Sequence, residues 1–173
     1  MVDTQHGSLK AELFQDWEAN RESQKSRVIM VGFRLAQHAA RRDDLPSIVR
    51  SVVVTGYKLA TTWVLGVEIP VETTIGPDFR LIHPQGIVIN GDTVIGARCI
   101  IRCSSTIGNI MAADGTSSPC PRIGDDVELG ANVVVIGAVS LGDGARVGAG
   151  SVVIRDVPPG GVAVGNPARV LDR

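Results

Sequence analysis

Residues 123–153 read IGDDVELGANVVVIGAVSLGDGARVGAGSVV. Every sixth residue gives Ile123, Leu129, Val135, Leu141, Val147 and Val153, an unbroken aliphatic column, with Gly following at 124, 130, 142 and 148. Upstream the same spacing gives Ile89, Ile95, Ile101 and Ile107, and before that Ile75, Leu81 and Ile87. A helix repeats about every 3.6 residues and a lone strand every two. A strict period of six instead means a short strand and a turn repeated identically, with one side chain per unit pointing inward. Three units close a triangular coil. Coils stacked at about 4.8 Å make a parallel β-helix whose column residues lie directly above one another. Glycine or a small polar residue suits the corners, where φ is positive or backbones approach closely.

Composition agrees. The chain has 173 residues, 44% hydrophobic, with a net charge of −1, which suits one domain plus an appendage and offers no lure for nucleic acid. Residues 1–66 hold four glycines and five of the six aromatics; residues 67–173 hold sixteen glycines and only Phe79. A ring has no room in so narrow a prism. The expected layout is a helical region over 1–66, a β-helix over 67–156 and a C-terminal tail over 157–173. Three cysteines without a CxxC pair argue against a disulfide framework. The chain start lacks the plan of a signal peptide, and no apolar run is long enough to span a membrane, so a cytoplasmic protein is expected.

The front third divides into a polar helix over 8–25, a second over 27–42 and a third over 46–64 carrying Val52, Val53, Tyr57 and Trp63. Packing on the first coil or on a neighbouring subunit is the commoner use of such apolar stripes. Peripheral contact with the inner face of a membrane, through basic and apolar faces, is the alternative.

Function is expected where the repeat breaks. The phase slips by two between Ile87 and Ile89, just after LIHPQG (81–86). From Ile107 to Ile123 is a step of 16 residues where two units would use 12, so the surplus in NIMAADGTSSPC (109–120) should leave the coil as a loop. His83, at the slip, is the single histidine of the repeat region, and imidazole suits a general base at neutral pH. A hydrogen-bonded or surface histidine with no task is the other reading. His6 and His38 look incidental. Glu68, 15 residues earlier, lies about one coil below, where a carboxylate could fix the His83 tautomer; by spacing alone it is an ordinary exposed glutamate. No three-histidine set exists in the repeat, which disfavours a catalytic zinc.

Residues 67–170 resemble the serine-acetyltransferase branch of the hexapeptide-repeat acyltransferases, through LIHPQGIVIN (81–90), TIG (106–108), the stretch 123–153 and VPPGGVAVGNPARV (157–170). Within that branch the chain is most similar to bacterial exopolysaccharide O-acetyltransferases of the colanic-acid type. The resemblance implies a left-handed coil, acetyl-CoA as donor, a saccharide acceptor and a homotrimer, with a hexamer as the alternative. It places His83 on the catalytic histidine that deprotonates the acceptor hydroxyl. Glu68 falls where serine acetyltransferases have an aspartate, and Cys120 where they have a second histidine, which argues against free serine. Cys120 reads as a small loop residue rather than a nucleophile, and with Asn109 it would face the acceptor. Gly108, Ala131 and Ala149 would line the coenzyme path. Arg146 and Arg169 would stand near its phosphates, or be plain surface charges. Two rival functions are a serine acetyltransferase with an altered site and a non-catalytic trimeric scaffold.

Overall fold

The computed structural model describes residues 9–172, so His6 lies outside the described residues. The repeat region is a parallel β-helix with three faces. The first face stacks β1 (Val67–Glu68), β4 (Ile87–Ile89), β7 (Thr106–Gly108), β10 (Val134–Ile136) and β13 (Val152–Val153). The second stacks β2 (Thr74–Ile75), β5 (Val94–Ile95), β8 (Arg122–Ile123) and β11 (Ser140–Leu141). The third stacks β3 (Arg80–Ile82), β6 (Ile100–Arg102), β9 (Glu128–Leu129), β12 (Arg146–Val147) and β14 (Val162–Gly165), with β15 (Ala168–Val170) antiparallel on β14.

Ladder register sets the columns. Ile75, Ile95, Ile123 and Leu141 stack on the second face, and Leu81, Ile101, Leu129 and Val147 on the third. The sixes end at Val153, yet the columns continue: Val157 bridges to Leu141 and Ala163 pairs with Val147. Each unit buries two side chains rather than the expected one. Val127, Val133, Val139 and Ala145, each two positions before a column residue, are buried as well. This second row also takes a ring, against expectation: Phe79 is fully buried in the first coil, where the prism is open to the helices, above which its row narrows to Cys99, Val127 and Ala145. Ile87 belongs to this second row and not to a column.

The loop is longer than the count of two units implies. Ile107 and Ile123 lie on successive faces, so the step of 16 residues from one to the other replaces one unit of six. The excess folds as a small hairpin, with Met111 bridging Ser117 and the Ile110 amide donating to Ser118 Oγ at 2.9 Å.

Three helices, α1 (Leu9–Phe14), α2 (Gln24–Arg41) and α3 (Ser47–Lys58), precede the coil, and α3 runs into a π-helical turn over Leu59–Leu65. The first helix stops at Phe14 instead of reaching residue 25, and turns follow until Ser23 caps α2 by accepting from the Ser26 amide. Those turns have a task. Among the described residues the first coil has no strand below it, and unpaired strand edges are both costly and aggregation-prone. Side chains substitute for the missing strand. Asn20 donates to Phe79 O at 2.8 Å and accepts from the Leu81 amide at 3.0 Å, while Asp16 accepts from the Phe79 amide. Arg34 donates to Ile75 O and Gly76 O and holds Asp16 through two bonds in a fully buried pair. Gln37 donates to Val71 O and Thr73 O, and Ser26 to Leu81 O. Between these polar groups Ile29, Met30 and Phe33 of α2 join the prism core. The outer side of α3 and of the π-helical turn has no such cover: Ile48, Val52, Leu59 and Trp63 are exposed, Trp63 at 80%.

Candidate active site

The corner between Leu81 and Ile89 spans eight residues, against six between Ile101 and Ile107 one coil above. Ordinary corners of this coil place a positive φ three residues before the column residue, as at Asp78, Arg98, Ser104, Asp126 and Asn132; Gly86 fills that slot before Ile89. Among the described residues His83 is the one non-glycine residue with positive φ, 51°, that stands off this pattern. Such backbone costs on the order of 1–3 kcal/mol and persists where neighbours enforce it. They do so here: Pro84 is buried, the Gly86 amide donates to Gly66 O at 2.7 Å, and Gln85 O accepts from the Ser104 amide at 2.8 Å. The imidazole is thereby held out at the corner. It is exposed, and no hydrogen bond to either ring nitrogen is formed among the described residues.

Glu68 projects from β1, which pairs with β4 through Val67–Ile87 and Glu68–Val88. It stands opposite the middle of β4, exposed, without a hydrogen bond to His83. Ala131 and Ala149 fall on the His83 corner at higher levels, because Gln85 O, Cys103 O and Ala131 O accept in turn from Ser104, Asn132 and Gly150. Backbones are close there: a Cβ on Gly130 would lie 2.6 Å from the Ala149 nitrogen.

The remaining residues lie apart from that corner. Gly108 ends β7 and Asn109 follows it at the opposite edge of the first face, where Asn90 Nδ2 donates to Asn109 Oδ1 at 2.9 Å. Cys120 opens the following corner; partial burial and the nearby Asp92 charge push its thiol above the usual range. A protonated thiol is a poor nucleophile. Arg146 and Arg169 are exposed on β12 and β15 of the third face. An open groove of about 370 Å³ runs along the first face past Glu68, Pro70, Val88, Asn90, Gly108 and Asn109. Asn90 was missed in the sequence, although it stands directly after a column residue, where glycine is the common occupant. Among the described residues no group of three or more His, Cys, Asp or Glu is placed to hold a metal ion, and no helix is long and apolar enough to cross a membrane.

Residues 120–155 match the family described as Bacterial transferase hexapeptide (six repeats). The Escherichia coli K12 protein WcaB, provisionally named a colanic acid biosynthesis acetyltransferase, is 36% identical over 161 residues, which is 91% of this chain and 98% of WcaB. Serine acetyltransferase 4 of Arabidopsis thaliana is 35% identical over 122 residues, 70% of this chain but only 34% of the plant protein. Among solved structures, soybean serine acetyltransferase without ligand superposes with a TM-score of 0.81 at 31% identity, over 95% of this chain and 69% of that one. The likeness extends through the helices as well as the coil, and the chain therefore belongs to the hexapeptide-repeat bacterial transferases, and within them to the acetyltransferases.

Proposed function

We propose that this enzyme transfers an acetyl group from acetyl-CoA to a saccharide hydroxyl during exopolysaccharide assembly in the cytoplasm, with His83 as general base. The observation that carries the reading is the off-pattern backbone at His83, which holds an exposed, unengaged imidazole at a corner of the coil. In the proposed step one ring nitrogen of His83 takes the hydroxyl proton as the oxygen attacks the thioester carbonyl. The carbon–sulfur bond then breaks, and the imidazolium returns its proton to the departing thiolate. Donated backbone N–H groups would stabilise the tetrahedral oxyanion. Glu68 would orient the imidazole. Ala131 and Ala149, small and on the same corner, would admit the pantetheine arm close to the backbone, with Gly108 on its path and Arg146 and Arg169 toward the phosphates.

A homotrimer suits this assignment. His83 stands at one edge of the first face and Asn109 and Cys120 at the other, roughly 10 Å of strand away. A site that uses both edges draws them from two chains. The outward side of that face carries Val88, Ile136 and Ile154, apolar residues suited to burial against a copy.

Serine as acceptor is the second reading, favoured by the soybean likeness. Release of free coenzyme A from acetyl-CoA, offered L-serine or glucose- and fucose-containing oligosaccharides, decides between them. Saccharide-dependent release that falls 10²–10⁴-fold in His83→Ala is the expected result, the usual worth of a general base. Serine-dependent release would overturn the acceptor assignment; unchanged turnover in His83→Ala would overturn the base.

A further inference from the structure

A second cavity opens off the groove, under the π-helical turn. It lies between that turn, the end of α3 and the start of the coil, and is lined by Tyr57, Lys58, Thr62, Glu68, Pro70 and Glu72 among others. Glu68 and Pro70 line both the cavity and the open groove, so the two form one track along the first face. Its walls are fixed from within the chain. Tyr57 Oη donates to Ile69 O at 2.8 Å, Thr61 Oγ1 donates to Tyr57 O at 3.0 Å, and the Gly66 amide, at φ 67°, closes the turn onto Thr61 O. π-Helical turns are rare and gather at functional sites. Here the turn directs Thr61 into the protein and leaves Thr62 beside the opening.

We propose that this cavity is a second acceptor subsite, which holds the sugar residue next to the one being acetylated. The proposal rests on the saccharide reading above and adds that the acceptor is at least a disaccharide. Three observations support it. The cavity, about 180 Å³ and partly open to solvent, is large enough to take a ligand group well beyond a single water. Its rim presents one ammonium (Lys58), one hydroxyl (Thr62) and two carboxylates (Glu68, Glu72), none with a side-chain partner among the described residues. A mixed set of donors and acceptors around an apolar floor suits a polyhydroxylated ring better than an anion or a hydrocarbon. Finally, Glu68 lines both the cavity and the groove, and it is the residue that the saccharide reading assigns to orient His83, so a ring in the cavity would adjoin the reacting position on that reading. Free serine, which is smaller than one hexose, would leave the cavity empty.

The test uses the intact enzyme and compares, by coenzyme A release, a saccharide that supports turnover as its monosaccharide and as its disaccharide. The disaccharide should have a kcat/KM at least tenfold higher. Thr62→Trp, which fills the cavity, and Glu72→Gln, a conservative change at an exposed position, should each bring that ratio toward one by raising KM for the disaccharide, with KM for acetyl-CoA unmoved. A disaccharide no better than its monosaccharide, or variants that keep the ratio, would overturn the subsite while the saccharide reading stands. Variants that raise KM for acetyl-CoA instead would assign the cavity to the donor and overturn it too. If no saccharide of either length supports turnover, the saccharide reading itself fails and takes the subsite with it.

Discussion

Asn20→Ala tests the cap on the first coil most directly. The side chain is 2% exposed and bonds both Phe79 O and the Leu81 amide, in the manner of a strand neighbour. Its loss strands one buried acceptor and one buried donor, each costing about 1–3 kcal/mol. Asp16 O, its third partner, keeps a bond from the Asn20 amide and adds nothing. We expect a loss of roughly 3–4 kcal/mol, a large share of a typical stability of about 5–15 kcal/mol. With a urea slope of about 2 kcal/mol/M, the midpoint should fall by roughly 1.5–2 M at constant slope. The protomer concentration must be fixed, because assembly contributes to apparent stability. Arg21→Ala, which removes an exposed pair with Glu18, is the control and should stay within about 0.5 kcal/mol. Amide exchange locates the effect: protection at Leu81 should drop in Asn20→Ala and not in the control. A midpoint shift no larger than the control's would refute the reasoning, since the first-coil edge would then be hydrated and the turns before α2 mere linkers.

Two further outcomes are expected. The Cys120 thiol, held above its ordinary range, should be alkylated by iodoacetamide slowly at neutral pH with a rate still rising past pH 9, and Cys120→Ser should keep acetyl transfer within about threefold, since the proposed direct transfer needs no thiolate; loss of activity would make the cysteine a participant. The exposed face of α3 and its π-helical turn, with Lys58 and no acidic residue between Leu45 and Val67, separates the two readings of the helices: membrane contact requires that the intact chain sediment with phosphatidylglycerol vesicles and that Trp63→Glu abolish this without changing the thermal midpoint by more than about 2 °C, whereas no sedimentation, or equal sedimentation of the variant, would leave packing against a neighbouring subunit.

The columns were legible because a period of six is a property of the chain alone, and Ile123 through Val153 never break it. Phase is harder to read where the chain leaves the coil. Ile87 has the right spacing from Leu81 for a column and is in fact the inner-corner residue before Ile89, so the two extra residues belong to the corner that carries His83. The 109–120 loop misled for a related reason: spacing does not say whether a face was skipped, and only the ladder from β5 to β8 shows that none was. Residues 8–25 looked like one helix because nothing local marks Asp16 and Asn20 as strand substitutes; their partners are about 60 residues away. At the proposed site, His83 was legible as a candidate by composition and position, and what the structure adds is its off-pattern backbone. The cavity over Glu68 did not, because the π-helical turn sets Thr61 and Thr62 off the helical period that a reader follows.

The sealed ends of the solenoid have a consequence for its history. At the bottom, fitted side chains close the first coil; at the top, β15 runs back against β14. Neither end can accept another turn, so growth or shortening must happen in the middle and in whole turns. Ile123 to Leu141 is one such turn of 18 residues. Excising 124–141 would set Gly142 after Ile123 and leave all three columns continuous, one pitch of about 4.8 Å shorter. Removing 17 or 19 would rotate each later residue off its face. Length in such a protein is quantised, and the unit of change is the coil, not the residue.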